Sequence, residues 1–345
     1  MIYLAAYLVP ITAALGLWLG GAWSWLTVVF VYGLVPLLDG LVGPDPRNAD
    51  DAALQRAAQS RLASLPLVLA LPVQLGLFGL LGVVWQQGGA VWWERAGWVA
   101  SVAIAGGGIG IVIGHELVHR RERVLYWIGK GLLGMVLYMH FAVEHVRGHH
   151  PRVGTDDDPA SARRGQSLYA FLPQSIARQF LSAWQLESER LARAGAGPWT
   201  PRNEVLVGVL LQAAWLVGAA LLFGAEVAAV FAVVALLSVS LLEIVNYIEH
   251  YGLRRDRDAK GRLEPVRAHH SWNSDHLISR GLLFELPRHT DHHMNGSRPY
   301  QTLRSVAGAP QLPAGYPAMV LLALWPPLWF RVMDPRVAAL HAPSP

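Results

Sequence analysis

The sequence predicts an all-α polytopic membrane protein with six transmembrane helices and a histidine-rich cap on the cytoplasmic side. Of the 345 residues, 53% are hydrophobic and 15% are charged, with a mean hydropathy of +0.32. This is too apolar for an ordinary soluble protein of this length. The apolar residues gather into runs close to the ~20 residues that a helix needs to cross ~30 Å of hydrocarbon. The 14 histidines cluster, several of them where such runs end.

Six apolar runs approach the length of a transmembrane helix, and they pair into three hairpins. The connections expected outside the cell membrane are residues 20–22, 86–96 and 224–226, and of 28 Lys and Arg they hold only Arg95. Because positive charge concentrates on the cytoplasmic side, this bias predicts the inner membrane, with the large polar segments in the cytoplasm. The six predicted spans are 2–19, 23–42, 65–85, 97–114, 205–223 and 227–248.

Two other apolar segments are not expected to cross. Residues 124–143 carry Lys130 and His140 and join two histidine clusters, which would face opposite compartments if this segment crossed. We expect it to dip into the membrane or lie along its surface. The stretch 316–330 is short and broken by Pro326 and Pro327, which favours an interfacial anchor. No repeat or second domain is evident, so residues 1–345 are predicted to form one integral-membrane domain.

Four glycines in the fourth predicted span, Gly106, Gly108, Gly110 and Gly114, suggest a dinucleotide-binding loop. No three of them have the i, i+2, i+5 spacing that such a loop requires. Gly106, Gly110 and Gly114 recur every four residues, which predicts one small-residue face against one neighbouring helix.

Most of the histidines fall into four clusters with helical spacing. HELVH spans 115–119, EHVRGHH spans 144–150, EHYG follows at 249–252, and HTDHH spans 289–293. Residues three or four apart project from one face of a helix, so the histidines of each multi-histidine cluster are expected to share a face and can bind a metal ion. The ends of the fourth and sixth spans lie on the same side, so nine rings can converge. They are His115, His119, His145, His149, His150, His250, His289, His292 and His293.

The absence of cysteine limits the metals that these histidines can serve. It excludes thiolate-bound zinc, thiolate-ligated haem and iron–sulfur clusters in this chain. Imidazole suits zinc, copper, iron and nickel, but nine ligands are too many for one tetrahedral zinc and favour two iron ions. HELVH alone would indicate a zinc protease with Glu116 as general base, which leaves three clusters without a purpose. The carboxylate-rich ferritin-like pattern is not present.

Three carboxylates adjoin the clusters: Glu144, Glu249 and Asp291. Each is expected either to accept the second ring N–H of a metal-binding imidazole or to be solvated or salt-bridged, two readings of equal weight. The other histidines are expected to surround the metal ligands or to be structural. They are His140, His269, His270 and His276, with His341 inert in a Pro-containing tail.

At these residues the chain resembles the membrane-bound alkane 1-monooxygenases, relatives of the membrane fatty acid desaturases and of xylene monooxygenase. HELVH, EHVRGHH and HTDHH resemble the boxes of the wider superfamily. NYIEHYGL (246–253), HHSWNSDH (269–276) and RPYQTLR (298–304) resemble the alkane enzymes in particular. The likeness extends from about Tyr32 to Pro335. The last box reads LPRHT where the family has a sequence closer to LQRHS, so a different local backbone is expected there.

The resemblance implies that the nine histidines bind two irons, a di-iron cap on the cytoplasmic face of a single desaturase-like hydroxylase domain. It implies O2-dependent terminal hydroxylation of medium- to long-chain n-alkanes. Electrons would come from rubredoxin and its reductase, since the chain has no flavin or nicotinamide motif. The basic residues Arg254, Arg255, Arg257, Lys260 and Arg262 could steer an acidic partner, or form no more than a positive-inside loop. The net charge of +4 is attributed to that bias and not to nucleic acid.

An unbranched alkane has no polar handle, so terminal selectivity requires a narrow apolar tunnel. Candidate walls are Val31, Tyr32 and Leu34, with Trp25 deeper, although each could serve ordinary packing. Val31 is small where a bulky residue would block the tunnel, which favours longer chains. Alternatives are a xylene-type oxygenase with a wider pocket, a fatty-acyl desaturase or hydroxylase, and a membrane transporter. A transporter should carry its polar residues within the spans.

Overall fold

The computed structural model describes residues 2–340, so His341 lies outside the described residues. Within that range the protein is helical, and its only β-type pairings are isolated bridges. Five helices are long and apolar enough to cross a membrane: α2 (Gly21–Val42), α4 (Leu62–Gln87), α5 (Trp92–Val118), α9 (Glu204–Phe223) and α10 (Ala225–His250). The protein is therefore an all-α, multi-pass membrane protein.

The remaining helices are shorter or more polar. Near the N-terminus are α1 (Tyr3–Leu19) and α3 (Asp51–Gln59); between the second and third hairpins lie α6 (Arg123–Met135), α7 (141–152) and α8 (Leu168–Arg193); after the last span come α11 (Leu277–Leu282), α12 (His289–Met294), α13 (Tyr316–Ala323) and α14 (Pro326–Leu340).

Of the six predicted spans, only the first, residues 2–19, corresponds to a helix shorter than the other five. At 1.5 Å per residue, α1 covers about 25 Å, less than the ~30 Å hydrocarbon core. It packs against α5, where the Trp98 indole Nε1–H donates to the Gly16 carbonyl at 3.2 Å. Six spans therefore remain a prediction, while five have the required length and composition.

Two tight reversals bring the important helix ends together. Gly88 ends α4 with φ +72° and Gly224 ends α9 with φ +89°, a conformation that favours glycine. Each reversal makes the next helix run antiparallel to its predecessor. The C-terminal ends of α5 and α10 consequently lie on the same face of the bundle, and they carry His115 and His250.

The apolar segment 124–143 does not form one continuous helix. It is divided between α6, which ends at Met135, and α7, which begins at residue 141. Leu137, between them, has a left-handed φ of +57°. Lys130 is almost fully buried in α6, and its Nζ lies 3.4 Å from Glu204 at the start of α9. The chain therefore reverses direction at residues 136–140. As a result, α7 lies at the end of the bundle that carries His115 and His250.

The C-terminal tail packs one face on the bundle and exposes Leu321, Leu324 and Trp325 on the other, so its role as an interfacial anchor stays a prediction. The helix is broken just before Pro326, as the prolines predicted, but Tyr316, Met319, Trp329 and Met333 are buried. They form a second apolar core with Tyr247 and other residues of α10. The tail is thus a structural part of the bundle.

The glycines of α5 contact three different helices, so the prediction of a single glycine face was wrong. A Cβ at Gly106 would lie 2.6 Å from Ser238 of α10, one at Gly110 3.5 Å from Gln74 of α4, and one at Gly114 3.2 Å from Leu133 of α6. The reason is a π turn at Gly106–Ile111, which adds a residue to one helical turn and rotates the following positions.

Candidate metal centre

The structure brings nine histidines together in two adjoining groups at the end of the bundle. In each group the possible ligand atoms all lie within 4.8 Å of one another. We call the groups site A and site B. Site A consists of His115, His119, His145, His150 and His292; site B consists of His149, His250, His289 and His293. All nine come from the set singled out in the sequence.

The partition between the two sites contradicts the expectation that the histidines of each cluster share one helix face, because His145 and His149 fall in different sites, as do His292 and His293. A π turn at His145–His149 adds a residue to α7, so His145 and His150 share a face and their Nε2 atoms are 3.1 Å apart. His149 is thereby turned toward site B. In α12, His289 and His293 meet at 2.9 Å in site B, while His292 points to site A.

The distances between ring nitrogens fit metal ligation. His115 and His150 each place Nε2 3.0 Å from His292 Nε2, and in site B the Nε2 atoms of His149 and His293 are 3.2 Å apart. Ligands bound at ~2.1 Å would be roughly 3.0 Å apart at right angles and about 3.4 Å apart in a tetrahedron. Each of these pairs is therefore close enough to bind one ion. His119 Nε2 is buried without a hydrogen-bond partner among the described residues, which leaves this atom free to bind a metal ion.

The site keeps most of its imidazoles neutral, which is the form that binds metal. Burial lowers the pKa of His145, His292 and His293 well below the usual value, and the neighbouring rings add to the effect. His149 is the exception. Burial alone would lower its pKa, but the charge of Asp158 and a hydrogen bond from the ring to that carboxylate raise it.

Asp158 is a functional residue that the sequence did not reveal. It is buried, its Oδ2 lies 2.9 Å from His149 Nδ1, and the same oxygen accepts the Ser161 hydroxyl at 2.6 Å. A carboxylate on the second ring nitrogen fixes the tautomer of a ligating histidine. Asp158 lies in a loop nine residues beyond His149 within an acidic run, so no helical spacing links it to the cluster.

Two of the three carboxylates predicted to assist ligands form salt bridges instead. Glu144 Oε1 accepts from Arg152 at 2.7 Å. Asp291 accepts from Arg298 at 2.6 Å and from the Arg304 backbone N–H at 2.8 Å. For these two residues the salt-bridged alternative is the one observed. Asp291 thereby joins the last histidine box to the RPYQTLR segment.

Glu249 contacts a ligand candidate, but at the nitrogen that faces the metal site. Its Oε2 is 3.2 Å from His289 Nε2, the atom that also faces His250 Nε2 at 3.2 Å. Its Oε1 accepts the Tyr316 hydroxyl at 2.7 Å. Glu249 can therefore offer site B an oxygen donor in addition to its four imidazoles.

A third group, Glu264, His269 and His270, also has ligand-type atoms close together. His270 Nδ1 accepts the Arg267 backbone N–H at 2.9 Å, so the neutral ring carries its proton on Nε2, which faces Glu264 at 3.1 Å. A metal on Nε2 would require a ring with no proton. Hydrogen bonding, not ligation, is what this group supports.

The segment around His270 instead supports the end of α10. The His270 backbone lies beside the His250 ring, and the Trp272 N–H donates to the Glu249 carbonyl at 2.8 Å. His269 is exposed. His276 lies at the start of α11, with Nδ1 2.9 Å from the Ser274 hydroxyl. Of the three histidines predicted to surround the metals, only His270 approaches a ligand.

A narrow apolar cavity of about 70 Å³ lies inside the bundle, one helical turn from His115. Of the four predicted tunnel residues, its walls include Val31 and Tyr32, which lie in a π turn of α2, Phe30–Leu34. Trp25 instead donates to the Trp93 carbonyl at 3.1 Å, and Leu34 is 46% exposed, so neither prediction fits this cavity.

The inner end of the cavity is defined by residues next to the ligands. Val112 lines it one turn before His115 on α5. Tyr316 lines it and hydrogen-bonds Glu249, which faces site B. The cavity therefore lies within the bundle next to residues that contact or precede the ligand candidates, and none of the nine histidines forms part of its wall.

A multi-pass helical bundle with two adjoining histidine sites and an apolar cavity in its interior defines a class of membrane metalloprotein with a non-haem centre. The fatty acid desaturase family model matches residues 90–323. The chain is 44% identical over 328 residues to alkane 1-monooxygenase 2 of Pseudomonas aeruginosa, covering 93% of this chain and 86% of the relative.

Two further relatives extend the comparison. Alkane 1-monooxygenase 2 of Alcanivorax borkumensis is 40% identical over 337 residues, covering 97% of this chain and 88% of that one. The xylene/toluene monooxygenase hydroxylase component of Pseudomonas putida is 32% identical over 340 residues, covering 95% and 86%. The chain belongs to the fatty acid desaturase family and, within it, to the alkane 1-monooxygenases.

Proposed function

We propose that this protein hydroxylates the terminal carbon of medium- to long-chain n-alkanes, giving 1-alkanols, with O2 and two electrons from rubredoxin. The reaction balances as R–CH3 + O2 + 2 e⁻ + 2 H⁺ → R–CH2OH + H2O. The observation that carries the proposal is the pair of adjoining imidazole sites, with an apolar cavity in the same bundle one helical turn from His115. The names of the relatives supply the reaction class.

We propose iron as the metal in both sites. Five imidazoles in site A, and four with the Glu249 carboxylate in site B, suit an ion that accepts five or six nitrogen and oxygen ligands. When bound, a pair of irons supplies the redox chemistry that reduces O2 and attacks a C–H bond. Asp158 orients the His149 ring from behind.

The chain itself positions the alkane. An alkane offers no hydrogen-bonding group, so the shape of the cavity must present one end of the molecule to the metals. Val31 and Val112 form apolar walls, and the surrounding helices keep water from the reacting methyl group. The Tyr316 hydroxyl, a polar group in the cavity wall, already donates its hydrogen bond to Glu249.

The electron donor is proposed to be rubredoxin, supplied by rubredoxin reductase, as the resemblance to the alkane enzymes implies. The chain has no cysteine to hold an iron–sulfur centre, which agrees with a separate electron carrier. The predicted basic surface is only partly free to attract it. The Arg255 guanidinium donates to the Glu264 and Pro151 carbonyls, and Arg262 pairs with Asp258 at 2.8 Å. Lys260 is exposed. We place this face in the cytoplasm and the spans in the inner membrane, which the bias of positive charge supports.

A xylene-type substrate is the second candidate, supported by the relative of that name. The narrow cavity favours an unbranched chain over an aromatic ring. A membrane transporter is disfavoured because the nine histidines lie at or beyond the helix ends.

The decisive experiment incubates membranes that contain the protein with reduced rubredoxin, its reductase, and a mixture of octane, hexadecane, xylene and a stearoyl substrate. The expected product is 1-alkanol, and methylbenzyl alcohol or a desaturated acyl chain as the main product would refute the proposal. His292→Ala, which removes one ligand of site A, should abolish hydroxylation and lower the amount of iron bound per protein. His269→Asn, at an exposed ring outside sites A and B, is the matched control and should retain both.

A further inference from the structure

The C-terminal helix α14 contacts the residue that directly follows a ligand candidate of site B. That residue, Tyr251, comes after His250 at the end of α10 and is completely buried. Its hydroxyl donates to Asp334 Oδ1 of α14 at 2.7 Å and accepts the Gly165 backbone N–H at 2.7 Å. Its ring lies edge-on to Trp329 of α14, with centroids 5.3 Å apart. One side chain thus joins the end of α10, α14 and the loop before α8.

The next residue, Gly252, allows α14 to approach this closely. It has a left-handed φ of +72°, and its N–H donates to the Ala162 carbonyl at 3.0 Å. A Cβ at Gly252 would lie 2.9 Å from both Cγ atoms of Val337 in α14. A side chain here would therefore displace α14, and the backbone conformation would also be unfavourable for it. The chain just after His250 is fixed by contacts from outside α10.

His250 has less direct support than its neighbour in site B. The His149 ring is oriented by Asp158, whose Oδ2 lies 2.9 Å from Nδ1. No carboxylate supports His250 in this way: its Nδ1 is buried without a side-chain partner among the described residues, and only the His270 backbone lies beside the ring. Since α10 ends at His250, the direction of this ring depends on how the last turn of α10 is held.

Asp334 has no other close polar contact that would explain its position. Arg164 Nε is 3.9 Å from Asp334 Oδ1, and the two side chains are 53% and 28% exposed. A long ion pair of this kind at the surface contributes little. The short hydrogen bond from Tyr251 is therefore the main polar contact between α14 and the end of α10.

We propose that Asp334 is a positioning residue of site B, which acts through Tyr251 to hold His250 in the direction that ligation requires. The inference rests on the proposed binding of metal by sites A and B. Under it, α14 supports the metal centre as well as the apolar core around α10. None of the five histidines of site A lies on α10, so removal of Asp334 should weaken site B selectively.

The test measures metal binding by the full-length protein in nanodiscs, without O2, alkane or an electron donor. Elemental mass spectrometry counts the ions of any metal per protein during a chelator titration, and Mössbauer spectra distinguish irons with different ligands. Asp334→Ala should release one of two ions at roughly three- to tenfold lower chelator concentration, the value of one hydrogen bond, and should change one spectral component. Asp334→Asn, whose side-chain oxygen can still accept from Tyr251, should restore both properties.

Further variants separate positioning from general stability. Tyr251→Phe should reproduce the loss, and adding Asp334→Ala to it should cause no further loss, because residues that act through one another are not additive. Arg331→Ala, at an exposed position of α14, should bind both ions as the wild type does. Leu17→Ala, in the buried core of α1 at the opposite end of the bundle, should lower Tm without selective loss of one ion.

Two outcomes would overturn the proposal. One is an Asp334→Ala protein that keeps both ions and the wild-type spectrum, or that loses the two ions equally, as a purely structural contact would allow. The other is a double variant with Tyr251→Phe in which the two losses simply add. A protein that shows the expected dependence on Asp334 but forms no 1-alkanol would instead count against the proposed function alone.

Discussion

Gly108 lies in the wall of the apolar cavity, within the π turn Gly106–Ile111. Helix packing does not require a glycine at this position. A Cβ at Gly106 or Gly107 would lie 2.6 or 2.8 Å from Ser238, whereas one at Gly108 meets no atom within 4 Å. A larger side chain at Gly108 would therefore grow into the cavity without disturbing the helices.

We predict that Gly108→Leu shortens the preferred alkane. The ratio of kcat/KM for hexadecane to that for octane should fall by about tenfold or more, because added methylenes must compete for a narrow space. Val31→Trp, from another wall, should act in the same direction. Gly76→Leu, at an exposed glycine of α4 with open space around it, is the control. A chain-length profile that both cavity variants leave unaltered would show that the alkane lies elsewhere.

Asp158 acts on the metal through His149. Replacing it with asparagine removes the charge that orients and polarises the ring, and loss of such a partner typically weakens metal binding by about 10- to 100-fold. Asp158→Asn should therefore lose iron at lower chelator concentration than the wild type, as measured by bound metal per protein. Asp157→Asn, next to it but exposed, should not. Equal retention of iron in the two variants would mean that the contact is only structural.

At the scale of elements, spacing predicted which histidines converge but not how they divide. In a regular helix adjacent residues point about 100° apart, so His149 and His150 could not both face one metal with His145. That adjacency was the available signal for a π turn. The π turn itself depends on how α7 packs against the end of the bundle. The spacing of histidines within one cluster does not contain that information. Asp158 was missed for a related reason, since its loop position is set by tertiary contacts.

Glu187 joins three elements that support the metal cap. It is fully buried in α8, where it accepts hydrogen bonds from Arg147 of α7, from Arg190 at 2.8 Å, and from the backbone N–H of Glu204 in α9 at 2.9 Å. Burial alone would raise the pKa of Glu187, but the hydrogen bonds and the charge of Arg147 lower it from 4.5 to about 2.

A depressed carboxylate pKa stabilises the fold above its unfolded-state value, and this contribution disappears as the pH falls from about 4.5 to about 2. Glu187→Gln should therefore reduce stability at neutral pH by about 1–3 kcal/mol and flatten the loss of Tm over that acidic window. Thermal unfolding in detergent measures both effects. Glu189→Gln, exposed on the same helix, should leave the profile of the wild type. A parallel pH profile for Glu187→Gln would contradict the assigned role.

At the scale of the whole molecule, hydropathy located the long helices because a helix surrounded by lipid consists mainly of apolar residues over about 20 positions. It was less informative where helices pack on protein. The tail 316–330 is apolar because it completes the core around α10, and 124–143 is apolar because it lies against the end of the bundle. Each segment packs on protein with part of its surface and leaves other apolar side chains exposed, among them Trp127 and Trp325.

The orientation of the bundle gives the last prediction, and the absence of cysteine makes it directly testable. Gln87 is exposed where α4 ends, opposite the histidine sites, and Lys260 is exposed on their side. In intact cells, with the outer membrane permeabilised, a membrane-impermeant maleimide should label Gln87→Cys but not Lys260→Cys. Disruption of the inner membrane should expose both, and the cysteine-free parent should remain unlabelled. Labelling of Lys260→Cys in intact cells would place the metal centre outside the cytoplasm and remove the electron supply on which the proposed reaction depends.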